Sequence, residues 1–147
     1  MKHIKTERQM RSGFSMIELM AVLIIMGLLI TVVAENFMGK VDEARVKTTQ
    51  ANLKILHSAV EQFRYDTGHY PSEDEGLLVL VEAPVDAENY PEGGYLKSTA
   101  VPLDGWKHEF IYELSPENGK PFVIKSLGAD NAEGGEKYDK DLFSTDL

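Results

Sequence analysis

The chain has 147 residues, 43% of them hydrophobic, which is room for one modest domain and one anchor. It contains no cysteine, so disulfide staples, cysteine catalysis and zinc-thiolate sites are excluded. The formal net charge is −9; residues 1–35 carry +1 and the remainder −10, a balance unsuited to nucleic acid or anionic lipid and better suited to a hard cation.

Lys2, Lys5, Arg8 and Arg11 lead up to Gly13. Residues 14–34 then form an apolar stretch in which Glu18 is the only ionisable side chain. As a helix, these 21 residues span roughly 32 Å, about the hydrocarbon thickness of a bilayer. The basic flank predicts a cytoplasmic N-terminus, with the rest of the chain across the membrane. One reading is a cleaved secretory signal with Val32 and Ala34 at the cut site. A second is a plain signal anchor whose Glu18 reaches for the interface. In a third, Glu18 is functional, because a carboxylate in an apolar span is costly and needs a partner.

The third reading is carried by a resemblance. Gly13-Phe14, with Glu18 at the fifth position after the glycine and an apolar run beyond, resembles the class III leader of type IV pilins and type II secretion pseudopilins. The resemblance implies that a prepilin peptidase cuts after Gly13, discards residues 1–13 and methylates Phe14. The new amino terminus is positively charged at neutral pH and gives Glu18 a partner. That partner is either one helical turn away in the same chain or on the next subunit of a filament.

Val41, Ala44, Thr48, Ala51, Ile55, Ala59, Val60 and Phe63, with Leu56 alongside, recur with helical period. The spacing predicts one helix over residues 14–65. Its first half is apolar all round, and its second half has one stripe for packing on a small domain. Gly39 is the weak point, where two hinged helices are the alternative. Pilins often carry proline where this chain has Glu35, which removes one specified break.

Gly68 suits a left-handed helix cap and Pro71 cannot continue the helix. Ser72 with Glu75 reads as a capping box before a short helix over residues 77–81. Pro91-Glu92-Gly93-Gly94 and Pro102-Leu103-Asp104-Gly105-Trp106 read as turns, with Trp106 a core anchor. Strands are expected over residues 108–114 and 122–127, joined through Pro116-Glu117-Asn118-Gly119.

Later blocks narrow the resemblance. Tyr70-Pro71-Ser72, Glu75-Gly76-Leu77, Gly94-Tyr95-Leu96, Pro102 with Asp104 and Trp106, and Ser126-Leu127-Gly128-Ala129-Asp130 resemble the G-type major pseudopilins of type II secretion. That family usually has proline and glycine around the tryptophan, where this chain has Gly105 and Lys107. The implied fold is α+β and type IV pilin-like, a long N-terminal helix on a small antiparallel sheet with an acidic metal-binding C-terminal loop. The implied organisation is a leader (1–13), a transmembrane and filament-core helix (14–35) and a periplasmic domain (36–147).

Residues 126–141 hold Asp130, Glu133, Glu136, Asp139 and Asp141 among glycines. Calcium takes six to eight oxygens from carboxylates, carbonyls and water. The spacing is not that of an EF-hand, and by composition alone a solvated, partly disordered acidic tail is the simpler reading of the segment. The resemblance implies one calcium held by the Leu127 carbonyl and the side chains of Asp130, Asp139 and Asp141.

His3, His57, His69 and His108 have no partner spacing for metal or nucleophilic catalysis, and an enzyme is not expected. The implied role is the major structural subunit of a secretion pseudopilus, polymerising with itself from the inner membrane into a periplasmic filament that helps export folded proteins. Its implied partners are prepilin peptidase, minor pseudopilins, the inner-membrane secretion platform and, before assembly, inner-membrane lipid. The alternatives are an adhesive or motility pilus subunit and a signal-anchored periplasmic binding module.

Overall fold

One helix, α1 (Met16–Thr67), dominates the computed structural model, which describes residues 13–84, 90–115 and 119–146, the side chains of residues 34–38 excepted. The chain divides into two units, Met1–Gly39 and Lys40–Leu147. α1 is helical through Gly39.

In the first unit α1 is apolar and exposed over Met16–Val33. Met16–Val33 is long and apolar enough to cross a membrane, and none of it is buried. Glu18 lies in the first turn, where a carboxylate complements the helix dipole.

In the second unit α1 buries Thr49, Leu53, Leu56, Ala59, Val60 and Phe63. The steps of three and four residues hold one face against the core. This corrects the expected stripe over its first half: Ala44, Thr48, Ala51 and Ile55 are exposed, Ile55 by 52%. The reason is polar docking. Thr49 Oγ1 accepts the Gly105 N–H at 2.9 Å, and Asn52 Nδ2 donates to the Leu103 carbonyl at 2.8 Å. The inner face is therefore set by hydrogen bonds at this level, and counting apolar residues points elsewhere.

α1 ends as expected. Gly68 has φ 83°, and its N–H donates to the Arg64 carbonyl at 2.8 Å, the single bond of a left-handed cap. The capping box at Ser72 and Glu75 is present, but a 3-10 helix (Gly76–Leu80) follows it instead of an α-helix. Five residues suffice to bury Leu77, Val79 and Leu80, and they are too few for a stable α-helix.

The sheet has three antiparallel strands in the order β1 (Ile111–Leu114), β2 (Phe122–Ser126) and β3 (Leu142–Phe143). Tyr112 faces Ile124 and Leu114 faces Phe122 across the hairpin. The turn residues 116–118 lie outside the described residues. β1 starts later than expected because Asp104 and His108 close a loop, with the Asp104 N–H donating to the His108 carbonyl at 2.9 Å. Phe122, Val123 and Ile124 are all buried, as befits a central strand.

Phe63, Phe122, Leu56, Val60, Leu80 and Ile124 fill the core, ringed by Tyr70, Tyr95 and Tyr112. Phe122 packs on Tyr70 at 5.2 Å and Phe63 meets Tyr95 edge-on at 5.5 Å. Burial pushes the Tyr95 phenol up to about 12. Trp106 is not a core anchor; it is half-buried. At this point the Gly105 backbone meets the helix, and a Cβ on Gly105 would run into the Arg45 carbonyl.

Candidate functional site

Two places carry the expected site residues. At the first, Ser15 starts α1. Its Oγ accepts the Glu18 N–H at 3.2 Å, so Ser15 is the N-cap. Ser15-x-x-Glu18 is itself a capping-box sequence, a signal that the leader motif obscured. Only half of the box forms. Among the described residues the Glu18 carboxylate has no partner and lies exposed, with Phe14 77% exposed beside it. Gly13 is exposed and its backbone meets nothing nearby. A free carboxylate next to the position where cleavage would create an amino terminus leaves Glu18 able to pair in either way foreseen.

At the second place, the C-terminal loop closes on itself through backbone groups. Ala129 N–H donates to the Tyr138 carbonyl at 2.9 Å, and Asp141 N–H donates to the Gly134 carbonyl at 3.2 Å. Gly128, with φ 68°, packs its backbone directly on Asp139, where a Cβ would lie 2.7 Å from the carbonyl. Residues 127–130 are thereby held beside 138–139. Of the expected ligands, Asp130 turns Oδ1 onto the Ala132 N–H at 3.1 Å, and Asp141 Oδ2 accepts the Gly134 N–H at 3.0 Å. Asp141 Oδ1 is buried with no hydrogen-bond partner among the described residues. Among the described residues no three His, Cys, Asp or Glu side chains converge as a ligating group. The donor set is nonetheless oxygen-only, and an unpaired buried carboxylate oxygen suits a hard cation.

A third cluster escapes sequence reasoning. Asp104 is buried, and its Oδ1 accepts the N–H groups of Trp106 and His108, each at 2.9 Å. Its Oδ2 accepts the Ser126 hydroxyl at 2.7 Å, and Ser126 Oγ in turn accepts the Gly128 N–H at 3.3 Å. His108 Nδ1 lies 3.2 Å from the Gly128 carbonyl oxygen, a bond made by the Nδ1–H tautomer. Asp104 thus joins the tryptophan loop, β2 and the acidic loop. The Asp104-Gly105 dipeptide signals a turn, but nothing in the sequence marks Ser126 as its partner. A second tie is Lys125, which contacts Glu113 at 2.6 Å and Glu133 at 3.4 Å; the hydrogen bond to Glu113 holds the ammonium above its ordinary pKa.

An apolar helix half long enough to cross a membrane, whose carboxylate has no partner among the described residues, followed by a small antiparallel sheet packed on the helix's second half, is the architecture of a pilin-like subunit. The comparisons carry this to a family. Residues 36–145 match the family described as Type II secretion system (T2SS), protein G, and residues 8–34 match the prokaryotic N-terminal methylation motif. The type II secretion system core protein G of Pseudomonas aeruginosa is 36% identical over 143 residues, covering 95% of this chain and 99% of that protein. The Vibrio cholerae core protein G is 35% identical, covering 90% of each chain. The crystal structure of the major pseudopilin from the type 2 secretion system of enterohaemorrhagic Escherichia coli superposes with a TM-score of 0.60 at 27% identity, covering 76% of this chain and 96% of that one. The chain belongs to the type II secretion system protein G family, and it is a structural pseudopilin subunit, not an enzyme.

Proposed function

We propose that the chain is processed between Gly13 and Phe14 by a prepilin peptidase, methylated on Phe14, and polymerised with itself from the inner membrane into a periplasmic filament that helps move folded proteins out of the cell. The observation that carries this reading is the apolar, unburied span Met16–Val33 of α1 bearing Glu18, which has no partner among the described residues. Before assembly that surface suits inner-membrane lipid, and after assembly it suits neighbouring copies. The basic residues before Gly13 support a cytoplasmic N-terminus with the domain periplasmic. Minor pseudopilins and the inner-membrane platform are the further partners of this reading. Mass spectrometry of the mature N-terminus tests it: methylated Phe14 is expected, and an intact Met1 overturns it.

In the same reading the acidic loop binds one calcium through the Leu127 carbonyl, Asp130, Asp139 and Asp141. The orphaned Asp141 Oδ1 and the apposition of Gly128 with Asp139 support this placement. The ion would offset the carboxylate charge and close the loop without a disulfide. Calcium is expected to raise the melting temperature by several degrees, and chelator to reverse the gain. Asp141→Asn should lose most of the response, and a melting temperature indifferent to calcium overturns the assignment.

A further inference from the structure

Two exposed surfaces of the second unit are complementary to each other. The first is the side of α1 turned away from its core. Lys40, Lys47 and Lys54 recur there every seven residues, and Ala44, Ala51 and Ile55 lie beside them, all exposed. Glu43 pairs with Lys40 at 3.6 Å and Lys47 at 2.8 Å, while Lys54 has no carboxylate partner among the described residues. The ridge is therefore net positive in a strongly acidic domain. The second surface is a groove of about 630 Å³ beside the 3-10 helix and β1. Its floor is apolar, with Leu78 54% and Leu103 40% exposed. Its rim carries Glu73, Asp74, Glu82 and Glu109, all exposed and none with a cationic partner among the described residues.

We propose that the groove receives the lysine-and-alanine side of α1 from a second copy of this chain. Charge complementarity selects this occupant. Domains this acidic repel one another, so self-association needs a local match of opposite sign, which these surfaces supply around apolar contacts. The two surfaces adjoin near Leu103, which lines the groove and also, with Ala44, a second pocket against α1. Repeated from copy to copy in one direction the pairing is head-to-tail, and head-to-tail contacts that do not close generate open helical filaments instead of dimers. This rests on the filament reading and assigns its lateral contact.

The chain has no cysteine, which makes the test clean. The full-length chain carrying Lys54→Cys and Leu78→Cys, assembled in membranes and oxidised, should give a ladder of multimers, and each single-cysteine variant at most dimers. Independently of the cysteines, Lys47→Glu with Lys54→Glu should reduce assembly by roughly tenfold or more, and adding Glu82→Lys with Glu109→Lys should restore it. Filaments without a ladder and without charge-swap rescue overturn this surface alone. A processed, unsubstituted chain that forms no filaments by microscopy overturns the filament reading, and the surface with it.

Discussion

The chain uses Ser-x-x-Glu twice, and the two copies fold differently. At Ser72 the box closes in both directions: Glu75 Oε2 accepts the Ser72 N–H and hydroxyl, each at 2.8 Å, and Ser72 Oγ accepts the Glu75 N–H at 3.3 Å. At Ser15 the hydroxyl accepts the Glu18 N–H, but the Glu18 carboxylate does not return to the helix start. The same four-residue pattern thus yields one carboxylate consumed by its own turn and one left available. The first is a stability device. The second is free to meet a charge from elsewhere. The difference lies in the surroundings, since Glu75 is half-buried beside a core and Glu18 stands on a bare apolar helix.

Three substitutions sharpen or break that contrast. Glu18→Ala should have the largest effect, cutting filament formation by ~100-fold or more, the scale of removing one partner of a desolvated ion pair. The melting temperature of the domain beyond Gly39 should not move. Normal assembly by microscopy would return Glu18 to a local helix-start role. Glu75→Ala should do the reverse, lowering stability by ~1 kcal/mol in urea unfolding while assembly persists. The pH dependence has a definite sign. The Ser72 N–H, then its hydroxyl, hold the Glu75 carboxyl below its ordinary value, so its stabilisation is full above the unfolded value of ~4.3 and is lost as pH falls through the depressed one. The deficit of the variant should therefore vanish in acid, and a pH-independent deficit would show that packing, not the carboxylate, matters at Glu75. Ser15→Ala should have the smallest effect. Loss of the cap costs ~0.5–1 kcal/mol, read as roughly two- to five-fold faster hydrogen exchange at the Glu18 amide in micelles. Unchanged exchange would mean that Ser15 does not hold the helix start.

Local chemistry was legible in the sequence. Gly68, the Ser72 box, the Pro91 turn and the two hairpin strands depend on neighbours a few residues away, and each appears close to where expected. What was not legible depends on partners far along the chain. Thr49 and Gly105 are 56 residues apart, and their bond turns α1 away from the stripe that periodicity favours. Asp104 and Ser126 are 22 apart. β3 has two residues, too few to show a period. Acidity marked the C-terminal loop, but its closure is written in backbone bonds and in Gly128, which no count of carboxylates reveals. The two residues flanking the tryptophan have a physical reading too. Lys107 adopts φ 77°, the left-handed region that a glycine there would occupy without strain. Gly105 leaves its N–H free for Thr49, which a proline cannot do.

Trp106 is the single tryptophan of the chain, and its indole Nε1 is shielded and makes no hydrogen bond among the described residues. Its own backbone N–H sits on Asp104, which also holds Ser126 and, through it, Gly128. The indole is thus an intrinsic fluorophore wired to the acidic loop. Its emission maximum follows the polarity around the ring, so one spectrum of unlabelled protein reports whether the tryptophan loop is docked on α1. The same spectrum, taken during a titration, follows how tightly the C-terminal loop is drawn against β2.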